Sequence, residues 1–294
     1  MGVYAIHVLN ALLYSSVLFL IAGGLSLIYG VMRIVNLAHG NLYALGAFVT
    51  AWAVGRAAEA GAPNAVLFAL LPVGAIAAAA VGAVIESTLL RPFYKRAEEY
   101  QLLMTFGLLM ILEDLIRLVW GPNPLTATNV YAALGSISIG GDRYPGYNLV
   151  IIAVGFLAAV FLRGFIYRTK FGVLLRATSQ DKRMASALGV NVNRIYLQAF
   201  TLGCFMAGLG GAVVVPSQSA VLGMGVDALV LAFIVVVIGG LGSLEGALAG
   251  ALIVGFVREA GVTWFPEIEL AVLYLIAALV LLVRPAGLFV RASR

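Results

Sequence analysis

The chain is expected to be an all-α polytopic membrane protein of about eight to nine transmembrane segments, with some helices broken or re-entrant. Three observations predict this. Of its 294 residues 63% are hydrophobic and 11% charged, with a mean hydropathy of +1.06, whereas a soluble domain carries about 25% charged residues. Apolar runs of the ~20 residues needed to cross a bilayer recur along the whole length. No run alternates at strand period long enough for a membrane barrel. The 34 glycines fit close helix–helix packing in lipid, where small residues let backbones approach.

The runs are placed in order. The first covers about Leu9–Val31; with no charged n-region and no small-residue cleavage site, it reads as a retained span rather than a signal peptide. The second follows Asn36 and ends near Gly55. The third, Pro63–Leu90, is long enough to tilt or to extend past the bilayer. Gln101–Val119, Tyr147–Phe165 and Ile195–Val215 supply three more, and Leu270–Val283 the last. Between these lies Val226–Ala260, interrupted by Gly239-Gly240-Leu241-Gly242-Ser243. In the extracytoplasmic loop 120–147 the stretch VYAALGSISIGGDRY is suited to a small hairpin. The whole chain, 1–294, is expected to form one transmembrane domain.

Orientation follows from Lys and Arg, which favour the cytoplasmic side. With the N-terminus outside and Val226–Ala260 counted as two segments, thirteen basic residues face inward, among them Arg33, Arg91, Arg284, Arg291 and Arg294, and three face outward: Arg56, Arg143 and Arg258. A single span there would turn the basic tail outward, so the charge bias argues for a break. The two halves, Val226–Gly239 and Gly246–Val262, reach only ~21 and ~25 Å at about 1.5 Å per residue, short of a hydrocarbon core of roughly 30 Å. The break is therefore expected at membrane depth, where irregular backbone survives only against protein or a water-filled cavity. Paired, glycine-interrupted segments point to a transport site. A second break is expected at Arg33–Gly40. His39-Gly40 and Glu245-Gly246 share a polar residue ahead of glycine, which hints at a pseudo-repeat.

The longest charged stretch, Arg168–Arg194, holds six of the eighteen Lys and Arg residues and one acid, Asp181. Burying its charges would cost several kcal/mol each, so it lies in the cytoplasm. A short helix is expected over about Asp181–Leu188, capped by Asp181 and ended by Gly189. Met184, Ala187 and Leu188 fall at i, i+3, i+4, an apolar stripe for a soluble partner. The plain alternative is a basic connector against anionic lipid.

Several chemistries are excluded. The chain has no G-x-x-x-x-G-K-[ST] phosphate loop, no H-E-x-x-H, no paired Cys or His spacing and no nucleophile elbow. Its single cysteine, Cys204, forbids an internal disulfide. The apolar runs lack the chains of acids of a proton-coupled pump. The chain is expected to be no enzyme, to hold no cofactor or metal, and, if it transports actively, to take its energy from another subunit. Its basic residues lie between apolar runs as orientation signals, which argues against nucleic acid.

The segment Gly24–Phe48, GLSLIYGVMRIVNLAHGNLYALGAF, resembles the LivH-type permeases of branched-chain amino acid ABC importers. So do Glu86 with Arg91-Pro92, and Asp181 followed by Ala185, Leu188-Gly189-Val190-Asn191. So also do Ala232-Phe233 with Val237-Ile238-Gly239-Gly240-Leu241-Gly242-Ser243, Gly246-Ala247 and Gly250, and finally Arg284-Pro285 with Leu288-Phe289. The resemblance runs the length of the chain. It implies a bacterial inner-membrane importer for a hydrophobic amino acid, a small amide or an organic acid. Its implied partners are a second homologous permease of the LivM type, two cytosolic ATP-binding subunits, a periplasmic solute-binding protein, and membrane lipid. Departures from the family pattern are Asn41 where an acid is frequent, Leu231 where a Lys often precedes Ala-Phe, Glu245 where Trp or Pro is frequent, and Met184-Ala185-Ser186-Ala187 in place of a literal Glu-Ala-Ala.

Two sets of candidate residues follow. The substrate pathway would involve Asn36, His39, Gly40, Asn41, Gly239, Gly240, Gly242, Ser243 and Glu245. Coupling to the ATPases would involve Arg176, Asp181, Met184, Ala185, Ala187, Leu188, Gly189 and Asn191. Each pathway residue also has a structural reading. Asn36 is the cap of the second span, His39 a first-turn residue, Gly239–Ser243 a close-packed hairpin, and Glu245 an acid stabilised by a helix dipole. Glu113 and Arg117, four apart, would pair on one helix face, and Thr105 would hydrogen-bond between helices. A self-sufficient secondary transporter or channel for a small neutral solute is the alternative function.

Overall fold

The computed structural model describes residues 2–289, so the predicted tail residues Arg291 and Arg294 lie outside the described residues. Among the described residues the regular structure is helical apart from one small hairpin. Helix α1, Gly2–Met32, has 31 residues and reaches ~46 Å at about 1.5 Å per residue. It is apolar on all sides because it is surrounded, with 83% of its most apolar window buried. Helix α2, His39–Glu59, follows an irregular stretch, and α3, Asn64–Ala69, leads into α4, Leu71–Ile85. Helix α4 ends in a π-helical turn, Glu86–Leu90, and a 3-10 turn, Arg91–Phe93. Glu86 is fully buried there, paired with Arg91 at 2.9 Å and accepting a short hydrogen bond from the Tyr94 hydroxyl.

Helix α5, Glu98–Trp120, and the short α6, Thr128–Ala133, precede strands β1, Ser136–Ile139, and β2, Asp142–Pro145. The strands form the expected hairpin, turned by Gly140 and Gly141 at positive φ. Helix α7, Gly146–Arg168, then leads to α8, Lys170–Gln180, and α9, Lys182–Ala187. The chain returns through α10, Val192–Val214, and closes with α11, Met224–Gly239, α12, Leu244–Trp264, and α13, Glu269–Val283. Five segments are long and apolar enough to cross a membrane by length and composition: α1, the α3–α4 unit over Asn64–Phe93, α7, α10 and α12. Helices α11 and α13 are shorter apolar helices.

Helices α1 and α10 form the centre, and α7 and the α3–α4 unit are less deeply buried, with 28% and 33% of their most apolar windows buried. The central pair runs antiparallel: Gly24 meets Gly203 and Met206, while Gly210 meets Leu20 and Ile21. Gly46, Gly74 and Gly208 let α2, α4 and α10 touch backbone to backbone. The outer ends of α1 and α12 are fastened by Glu259, which accepts from Asn10 at 3.3 Å and lies 2.9 Å from His7 Nδ1.

The two ends of the chain share one plan. Helix α1 lies against α12 as α10 lies against α4, and the α2–α4 and α11–α12 pairs are adjacent in the same way. Ala22-Gly23, Gly40 and Ala47-Phe48 recur 185 residues later as Ala207-Gly208, Gly225 and Ala232-Phe233. Because α1 and α10 are antiparallel, the repeat is inverted. This corrects the expected pairing of His39-Gly40 with Glu245-Gly246: the counterpart of Gly40 is Gly225.

Candidate functional site

Both breaks occur, and the first lies deep. Beyond α1, residues 33–38 double back, with Arg33 at φ 58. His39 thereby donates from Nε2 to the carbonyl of Ile21 at 3.0 Å, eleven residues and about 16 Å before the end of α1. Asn36, His39 and Asn41 are all fully buried. Asn36 Oδ1 accepts from the Ala38 N–H at 3.1 Å and its carbonyl accepts from the His39 N–H, so it turns the chain two residues ahead of the cap position, Ala38. Ile34, Asn36 and Ala38 of the irregular stretch are buried in protein, which satisfies what the absence of water in a bilayer demands there. Thr105 of α5 donates to the Val35 carbonyl at 3.2 Å, a bond to the irregular stretch in place of the expected helix–helix bond, and Asn41 donates to the Leu109 carbonyl at 2.6 Å.

Helix α11 begins beside the start of α2. A Cβ on Gly40 would overlap the Gly225 carbonyl oxygen, and a Cβ on Gly225 would overlap Asn41 Oδ1. The two half-helix N-termini therefore meet at the centre of the inverted repeat. Glu113, one turn beyond Leu109 on α5, accepts from the Gly223 N–H at 2.7 Å. That replaces the expected pairing of Glu113 with Arg117: its carboxylate satisfies an amide at the entry of α11 instead, where the helix dipole favours an anion.

The second break, Gly240–Ser243, turns between α11 and α12. Gly240 (φ 105) and Gly242 (φ 80) adopt backbone that L-residues rarely reach. Gly239 and Gly246 face each other too closely for any side chain, and Gly240 packs on Gly287. Ser243 caps α12, accepting from the Gly246 N–H at 2.9 Å, and its carbonyl accepts from Ser26 of α1 at 3.0 Å. Glu245 forms an exposed ion pair with Arg163 at 2.7 Å. It is a first-turn acid on the surface and does not join Asn36, His39, Gly40 and Asn41.

The charged segment 168–194 folds as its caps dictate. Asp181 Oδ1 accepts from the N–H groups of Arg183 (2.8 Å) and Met184 (2.9 Å), starting α9. Gly189, at φ 85, ends it, and Asn191 Oδ1 accepts from the Arg194 N–H at 3.1 Å to start α10. Met184 and Leu188 are 59% and 77% exposed, and Ala187 is exposed beside them. Ala185 is buried and anchors α9 from beneath, so it is not on the free face. Arg176 is turned inward, donating to the Ile166 carbonyl at 2.8 Å and lying over the Tyr167 ring. These two stabilise the platform and leave the stripe to Met184, Ala187 and Leu188.

Sequence reasoning left Asp227 unassigned and treated Arg258 only as an outward-facing charge. Both line a cleft between α1, α11 and α12. The available signal was an ionisable residue inside an otherwise apolar run.

The family model described as branched-chain amino acid transport system / permease component matches residues 7–283. The chain is 30% identical to the high-affinity branched-chain amino acid transport system permease protein BraD of Pseudomonas aeruginosa, over 98% of this chain and 96% of the relative. It is 29% identical to the corresponding LivH of Escherichia coli K12, over 96% and 94%. It is 27% identical to the ribose import permease protein RbsC of the same organism, over 93% and 85%. No solved structure matches the chain. A multi-pass helical chain with two helix breaks, matched over nearly its full length, belongs to the branched-chain amino acid transport system permease family.

Proposed function

We propose that the chain is the permease subunit of an ABC importer in the bacterial cytoplasmic membrane, carrying branched-chain or related hydrophobic amino acids. Partner ATP-binding subunits dock on α9 and supply the energy, so the chain needs no cofactor of its own. A second, homologous permease of the LivM type completes the pore, and an extracytoplasmic binding protein delivers the solute. Helices α2, α5, α11 and α13 complete the traverse begun by the five longer segments, giving eight or nine membrane segments.

The observation that carries this reading is the geometry of α9. It is a capped six-residue helix, anchored from below by Ala185, that presents Met184, Ala187 and Leu188 without a covering element. Exposed apolar residues on a short, rigid helix are suited to a hydrophobic groove. Only Leu188–Asn191 separate α9 from α10, so a displacement of α9 is transmitted directly to the central helix. Helix α10 holds α2 and α4 through glycine contacts, and α2 meets α11 at Gly40–Gly225. Tilting α10 moves that meeting point and shifts access from one side to the other. Replacing Leu188 with Asp should abolish recruitment of the ATP-binding subunits to the purified permease while leaving its membrane insertion intact; recruitment at the unaltered level would refute the docking assignment.

A further inference from the structure

We propose that the cleft between α1, α11 and α12 is a binding site for the zwitterion of an aliphatic amino acid, with Arg258 holding the α-carboxylate and Asp227 the α-ammonium. The proposal deepens the importer reading and rests on it. The cleft encloses about 290 Å³, near the ~300 Å³ lower end of small-molecule pockets, which suits a metabolite of amino-acid size. Leu13 and Val17 of α1 and Leu231 of α11 give it an apolar wall, and Tyr14, Asp227 and Arg258 bring the polar chemistry. On the Lys/Arg assignment of sides it lies in the outer half of the protein, where a solute would arrive.

The two charges are placed for a ligand rather than for each other. The Arg258 guanidinium carbon lies 4.6 Å from the centroid of the Tyr14 ring, which holds it by a cation–π contact. Its Nε is buried without a hydrogen-bond partner. The adjacent acid, Glu259, is engaged by His7 and Asn10. Asp227, in the first turn of α11, is favoured there by the helix dipole. No ion pair joins Asp227 to Arg258 among the described residues. Arg258, with its buried and unpartnered Nε, carries a desolvation cost that a bound carboxylate removes, while Asp227 is exposed at the cleft and open to an ammonium. A guanidinium fork matches a carboxylate, a carboxylate accepts from an ammonium, and the apolar wall receives the side chain. A ligand lacking either charge leaves one protein charge unmatched, and sites built on such polar contacts reject it strongly.

The test uses the complete importer in lipid nanodiscs, with an L-leucine analogue that carries a side-chain diazirine and both charged groups. Irradiation and peptide mapping should place the label on Leu13–Val17 and around Leu231. An excess of L-leucine should compete it away, and L-leucinamide and 4-methylpentanoate should not. Arg258→Gln and Asp227→Asn should each lower labelling at least tenfold. Leu231→Trp, which fills the cleft without altering charge, should do the same in an assembled complex. Labelling elsewhere in the chain of the unaltered complex, or labelling undiminished in Arg258→Gln and Asp227→Asn, would overturn the proposal. ATP-dependent leucine uptake by the same preparation separates the two levels. Uptake with the label outside the cleft removes this site and leaves the importer reading standing; absence of any amino acid uptake by the complete assembly removes both.

Discussion

Replacing Asp181 with Ala deletes the one side chain that starts α9. Its Oδ1 accepts two backbone N–H groups, at 2.8 and 2.9 Å, and nothing else in the described residues caps this end. Loss of such a cap costs about 0.5–2 kcal/mol. A six-residue helix has no stability of its own, since isolated helices below ~12–15 residues are marginal; α9 depends on its cap and on buried Ala185. If the docked state requires α9 to be formed, a loss of about 1 kcal/mol weakens recruitment of the ATP-binding subunits roughly fivefold, and the cap range spans about two- to thirtyfold. Asp181→Asn keeps the acceptor oxygen and the cap. It removes only an exposed charge, and exposed charge pairs contribute ~0–1 kcal/mol, so its affinity should stay within about twofold of the parent. The assay is equilibrium binding of the ATP-binding subunits to the permease in nanodiscs. Unchanged affinity in Asp181→Ala, or equal losses in Asp181→Ala and Asp181→Asn, would refute the capping argument.

Gly189→Ala forces an L-residue to φ 85 at the end of α9, at about 1–2 kcal/mol, and should weaken the same binding roughly five- to thirtyfold. Gly240→Leu forces an L-residue to φ 105; the assembled complex should form, and solute uptake should stop, which uptake assays on immunopurified complexes can check. Gly40→Ala drives a methyl group into the Gly225 carbonyl where the half-helices meet, and should lower thermal stability together with uptake. Glu245→Gln breaks only the exposed pair with Arg163 and should change stability by less than ~1 kcal/mol, with uptake preserved; a severe uptake defect would return Glu245 to the pathway.

What was legible in the sequence was what local chemistry decides. Asp181, Gly189 and Asn191 act through backbone groups two to five residues away, so the bounds of α9 could be read directly. The hairpin turned by Gly140 and Gly141 and the break at Gly240–Ser243 were legible for the same reason. Depth and partnership were not. That 33–38 double back to the level of Ile21 depends on how His39 and Asn41 meet α1 and α5. That Gly40 answers to Gly225 is obscured because the repeat is inverted and its partners lie far apart in the chain. Glu113 and Arg117 satisfy the i, i+4 spacing, but an unpaired amide at the entry of α11 is the better partner for the acid. Burial also divided residues the spacing had grouped, setting Ala185 and Arg176 apart from Met184, Ala187 and Leu188.

Solute flux in vesicles of defined composition probes the dependence on outside energy most directly. Vesicles holding this chain with its paired permease, two ATP-binding subunits and the solute-binding protein should accumulate branched-chain amino acid only when ATP is present. Vesicles holding this chain as the sole protein should show none. Accumulation at full rate in the second preparation would contradict the account.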